Sequence, residues 1–114
     1  ALAALKGPRD PFEAFRDAYR RRTHLAAARL NAMPGVRCLE PAGTFYLFPH
    51  FEAAEKDSMA FALDLLDKAQ VIVVPGFPFG PEETVKGCVR LACTVNEQKL
   101  SEAMDRIENY LKTL

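Results

Sequence analysis

Proline and glycine cut the middle of this chain into short pieces. Pro34-Gly35, Pro41-Ala42-Gly43, Pro49 and the run Pro75-Gly76-Phe77-Pro78-Phe79-Gly80 all fall there. Proline fixes φ and lacks an N–H, and glycine frees φ, so neither extends a helix or an inner strand. The segments left between them are strand-sized. Residues 36–40, 44–48 and 71–74 are predicted strands, the last two rich in β-branched or aromatic side chains. The stretch "TFYLF" at 44–48 is apolar on both alternating sets. Phe45 and Leu47 point one way and Tyr46 and Phe48 the other, as in a strand buried on both sides. Pro49 is expected to limit further ladder pairing. A fourth strand is predicted over 87–93, with Val89 and Leu91 on one face and Cys88, Arg90 and Ala92 on the other.

Helical periodicity surrounds these pieces. Asp10, Pro11 and Glu13 form a helix start, with Asp10 as cap and Glu13 completing a capping box. Phe12, Phe15, Tyr19, Ala26, Leu30 and Met33 then share one face until Pro34-Gly35 ends the helix. Arg16, Arg20, Arg21, Arg22 and Arg29 lie largely off that face. The cluster Arg20 to Arg22 reads as a solvated face with long stems over apolar neighbours, or as a phosphate site. Asp57 or Ser58 caps a helix running to about Lys68, with Phe61, Ala62, Leu65, Leu66 and Ala69 as its stripe. Thr94 with Glu97, or Asn96 alone, caps a last helix that buries Leu100, Ala103, Met104, Ile107, Leu111 and Leu114. The order helix, strand, strand, helix, strand, strand, helix predicts an α+β domain. Two hairpin-like pairs would give a small mixed or antiparallel sheet of about four strands, with helices on one face. The 114 residues make one such domain.

Several function classes lack support. Fifteen basic residues balance fifteen acidic ones, so there is no basic excess for nucleic acid. No apolar run approaches the ~20 residues of a membrane span, and the opening "ALAALKGPRD" is not a secretory signal. That opening lacks Met and reads as a helix tail cut in its middle, so a fragment of a longer protein is expected. Cys38, Cys88 and Cys93 form no C-x-x-C pair and read as small buried hydrophobes of a reducing, cytoplasmic compartment. His24 and His50 are isolated, and no metal site is expected. There is no phosphate-cradling glycine motif, and the only serines, Ser58 and Ser101, sit where helices want polar groups.

Arg90 is the sharpest single residue. A guanidinium on an apolar strand is costly unless paired, and its planar fork fits a carboxylate through two parallel hydrogen bonds. Two partners fit, an internal Asp or Glu or a ligand carboxylate, unless the arginine sits at an exposed edge position. The loop 75–80 displays Phe77 and Phe79 and either lines a site or covers a core edge.

Three stretches, in order, carry a resemblance. "YRRRTHLAAARLNAMPGVRCLEPAGTFYLFPHF", "VIVVPGFPFG" and "CVRLACTVNEQKLSEAMDRI" resemble the C-terminal small domain of class I/II aminotransferases, the pyridoxal-phosphate enzymes of the aspartate aminotransferase fold type. The resemblance covers nearly the whole chain, with residues 1–9 as the end of an inter-domain connecting helix and 10–114 as the small domain. It implies that Arg90 binds the α-carboxylate of an amino acid or 2-oxo acid substrate. It implies that Gly43 and Phe45 lie beside the substrate pocket and that Phe79 and Gly80 approach it. It also implies a homodimeric parent enzyme of amino-acid metabolism that uses pyridoxal 5'-phosphate. The family's cofactor lysine lies in an "S-x-S-K" or "S-K" segment, and none of Lys6, Lys56, Lys68, Lys86, Lys99 and Lys112 follows such a serine. The chain alone is therefore expected to bind no cofactor and to be inactive. The alternative is a free-standing module that binds a small carboxylate or regulates without catalysis.

Overall fold

The longest apolar periodicity gives a 22-residue helix in the computed structural model, which describes residues 1–114. This helix, α2 (Asp10–Asn31), follows a five-residue helix, α1 (Leu2–Lys6), that buries none of its residues. Arg9, not Asp10, takes the cap position, and no side chain caps the helix. Asp10 and Glu13 instead place negative charge in the first turn, where the helix dipole favours it. The expected continuous stripe holds only in the second half. Ala26 and Leu30 are fully buried, while Phe12 and Phe15 are 57% and 65% exposed. A 22-residue helix is about 33 Å long and outruns strands of two to four residues.

The strands are shorter and pair differently from the expectation. They are β1 (Val36–Arg37), β2 (Tyr46–Leu47), β3 (His50–Phe51), β4 (Val74–Pro75) and β5 (Val89–Ala92). All pairing is antiparallel: β1 with β3, and a three-stranded sheet ordered β2-β5-β4. β1 and β2 form no hairpin. A bridge between His50 and Cys88 joins the two ladders. β3 follows directly on Pro49, which is expected to limit further ladder pairing. Proline lacks the donor but keeps its carbonyl, and Pro49 O accepts the Val89 N–H at 3.0 Å while pairing resumes at His50. In residues 71–74 only Val74 pairs. Val71 and Val73 are buried, whereas Ile72 is exposed.

The helices cover one face of the sheet. α3 (Ser58–Ala69) is capped by Asp57, whose carboxylate accepts from the N–H groups of Met59 and Ala60, both at 3.0 Å. It ends at Gln70 in the left-handed region, φ 55°. α5 (Glu97–Leu111) is capped by Asn96 through Lys99 N–H at 2.9 Å; Thr94 plays no part. A four-residue helix absent from the expectation, α4 (Glu82–Val85), precedes β5. Phe51, Leu47, Val89, Leu30, Leu65, Met104 and Ile107 form the centre of the core. Leu66 and Leu114, predicted inside, are exposed, and Leu111 is half-buried. "TFYLF" is covered on one side only: Leu47 is buried, Phe45 and Tyr46 are half-buried, and Phe48 is exposed.

Polar contacts tie helix to helix. Arg29 of α2 pairs with Asp105 of α5, and Arg21 pairs with Glu97 at 3.2 Å. Arg22 instead lies over the Tyr19 ring, so the arginine run is divided among separate partners. The Tyr110 hydroxyl of α5 donates to Asp64 of α3 at 2.7 Å, and Lys68 reaches the same carboxylate at 2.8 Å. Lys68 and then Tyr110 hold the Asp64 carboxyl below its ordinary value. A carboxyl depressed in the folded state adds stability above its unfolded value near 4, and that stability is lost as pH falls through the folded value. Asp64→Asn is therefore expected to melt below the native chain at pH 7, with the difference closing below about pH 4. Thermal unfolding followed across pH 2.5–7 checks this, and a gap independent of pH contradicts it.

Candidate functional site

β5 sets the site by simple alternation. Val89 and Leu91 point into the core, so Arg90 and Ala92 point to the face the helices leave open. Antiparallel pairing places Tyr46 opposite Ala92 on one flank and Val74 opposite Arg90 on the other. The loop after β4 turns through a short 3-10 segment, Phe77–Phe79, and brings Phe79 back over the same face.

Arg90 is half-buried, and its side chain has no hydrogen bond or ion pair to any residue of the chain. Of the two partners the sequence allows, an internal Asp or Glu is thus overturned. The guanidinium is held by aromatic faces instead. Its central carbon lies 4.3 Å from the Tyr46 ring centroid and 4.9 Å from that of Phe79. Aromatic faces attract a cation through their quadrupole and satisfy its flat surfaces. No acceptor of the chain takes its N–H donors, and a guanidinium's donors can take a planar anion in two parallel hydrogen bonds.

The rings continue on both sides. Phe79 meets Phe48 edge-on at 5.8 Å and 84°. Tyr46 packs on Phe45 at 4.5 Å, and Phe45 packs on Tyr19 at 5.4 Å. Phe79 therefore touches the arginine directly, and Phe45 lies one ring away. Gly43 is exposed in the turn before β2, beside a groove that Phe12, Phe15, Tyr19 and Phe45 also line. A side chain at Gly43 would meet nothing within 4 Å, so no close approach demands glycine there. Gly80 follows Phe79, and a Cβ there would lie 3.1 Å from Val85 of α4. Tyr46 is the participant that sequence reasoning missed, because it was read as half of a doubly buried strand. The signal lay in its alternation with Leu47: once Leu47 faces the core, Tyr46 faces the guanidinium.

Other reactive groups lie elsewhere. Burial pushes the Cys38 and Cys93 thiols up to about 11, and all three cysteines are buried and unpaired. His24 contacts Glu40 at 2.9 Å and His50 contacts Glu55 at 3.0 Å. No group of three or more His, Cys, Asp or Glu gathers as a metal site. The six lysines are all exposed, and Lys68 and Lys112 pair with Asp64 and Glu108.

The family model of "Aminotransferase class I and II" matches residues 1–107. An aspartate aminotransferase of Bacillus subtilis (strain 168) is 38% identical over 117 residues, covering 98% of this chain and 29% of that protein. Among solved structures, an alanine aminotransferase from Pyrococcus furiosus superposes with a TM-score of 0.91 at 34% identity, over 99% of this chain and 28% of that one. An aromatic aminotransferase from Pyrococcus horikoshii OT3 gives 0.86 at 39%, over 96% and 29%. The chain belongs to the class I and II aminotransferase family. It spans less than a third of the length of these relatives.

Proposed function

We propose that this chain is the small domain of a pyridoxal-phosphate-dependent aminotransferase and that Arg90 receives the α-carboxylate of its substrate. Residues 1–9 would end the helix connecting it to the rest of the enzyme, and 10–114 would form the domain. The observation that carries this reading is a half-buried guanidinium lying over two aromatic rings with no carboxylate of its own. Every amino acid and 2-oxo acid supplies such a carboxylate. Clamping it fixes the substrate's Cα, and fixed orientation contributes much of the rate in reactions of this kind. The cofactor supplies the electron sink for amino transfer, and the remainder of the enzyme would hold it. The same remainder would cover the exposed apolar side chains of Leu2, Leu5, Phe12 and Phe15. A homodimeric, cytoplasmic enzyme of amino-acid metabolism fits this reading. The isolated chain is then inactive.

The amino donor is a separate matter. Relatives named aspartate, alanine and aromatic aminotransferases share this domain at 34–39% identity, so the domain's overall likeness does not select one. The full-length protein, assayed with L-aspartate, L-alanine and L-phenylalanine against 2-oxoglutarate, is expected to transfer the amino group from at least one. Carboxylate binding without transfer from any donor would favour a binding module instead.

A further inference from the structure

We infer that Tyr46 and Phe79 are positioning residues that hold the Arg90 guanidinium in place for carboxylate capture. This rests on the reading of Arg90 given above. The two rings reach Arg90 from opposite flanks of β5, Tyr46 from β2 and Phe79 from the loop that follows β4. Both supports are themselves fixed. Tyr46 sits in register with Ala92 and packs on Phe45. The Phe79 loop is tied back on itself by Phe79 N–H to Gly76 O at 2.9 Å. It is tied to the residue before β5 by Gly76 N–H to Cys88 O, also at 2.9 Å. Gly76 is required for that approach, since a Cβ would lie 2.7 Å from Cys88 O. Phe48 then braces the outer edge of the Phe79 ring.

A solvated arginine samples many rotamers and gives them up when it binds a ligand. A stacked guanidinium has given them up beforehand, so less affinity is lost on capture. The rings also offer no carboxylate or carbonyl oxygen to the fork, whereas an acidic neighbour would occupy it. The rings thus do for Arg90 what an internal salt bridge would do for its order, without competing for its donors.

The test uses the full-length enzyme and half-reactions with L-aspartate and L-phenylalanine. The controls are 3-aminopropanoate and 2-phenylethylamine, which are these donors without the α-carboxylate. Tyr46→Leu and Phe79→Leu are each expected to lower kcat/KM about tenfold for the amino acids, chiefly through KM. The two amines should be unaffected, and Tyr46→Phe, which keeps the ring, should stay within about twofold of wild type. Phe79 is exposed enough on its loop that its variant serves even where Tyr46→Leu fails to fold. Equal losses for amino acids and amines would mean that the rings support only the fold, and would overturn the inference. Unchanged amino-acid kinetics in both leucine variants, with a large loss in Arg90→Ala, would overturn it while leaving the role of Arg90 standing. Unchanged kinetics in Arg90→Ala would remove the reading beneath it.

Discussion

Arg90→Ala in the full-length enzyme is expected to lower kcat/KM for its amino-acid substrate by about 30- to 4,000-fold. A charge-assisted bidentate pair loses roughly 2–5 kcal/mol when one partner is truncated, and each 1.4 kcal/mol is a factor of ten. Cofactor binding should persist, because the proposed reading places the cofactor's lysine in the remainder of the enzyme. Arg90→Lys should recover only part of the loss, since an ammonium keeps the charge but not the planar fork or the stacking. Folding should survive the alanine change. The arginine lies on the open face, and the core beneath it is built by Val89 and Leu91. Steady-state kinetics with a thermal melt alongside check this. Unchanged kinetics, or a loss explained by unfolding, would contradict it.

Phe51→Ala is expected to cost about 3–5 kcal/mol of stability, the range for a fully buried aromatic. The Phe51 side chain is completely buried, and its ring packs on Phe61 at 5.1 Å. Phe61 in turn meets Tyr110 at 5.9 Å, so one residue of the sheet links α3 to α5. The backbone of Phe51 pairs with Val36 and also donates to Gly87 O at 2.8 Å, which holds the two ladders together. Domains of this size have about 5–15 kcal/mol in total, so the variant should be partly unfolded at 37 °C. Urea unfolding should show a lower midpoint with an unchanged slope. A loss under about 1 kcal/mol would mean that the core repacks without this ring.

Much of the fold was legible because its strongest signals are local. Asp57 before an apolar stripe specified the start of α3, and Pro34-Gly35 specified the end of α2. The errors came where pairing at a distance decides the outcome. Pro49 forbids a donor, and only the position of Val89 shows that its carbonyl is still used. Phe12 and Phe15 follow the same periodicity as Leu30, and only the short length of the sheet leaves them uncovered. The site divided along the same line. Arg90 stood out as a charge in an apolar strand, which is a signal within one segment. Its stacking on Tyr46 depends on the register of β2 against β5, and its stacking on Phe79 depends on the path of a loop. Neither follows from spacing along the chain. The absence of an acidic partner for Arg90 is likewise a property of the assembled sheet, and it turned an open choice between salt bridge and ligand towards the ligand.

The most direct test is a crystal structure of the full-length protein with a 2-oxo acid bound. The α-carboxylate should lie in the plane of the Arg90 guanidinium, with two N–O distances of about 2.7–2.9 Å, and Tyr46 and Phe79 should still be stacked on its faces. A carboxylate held elsewhere, with Arg90 paired to an Asp or Glu from the rest of the protein, would contradict the assignment.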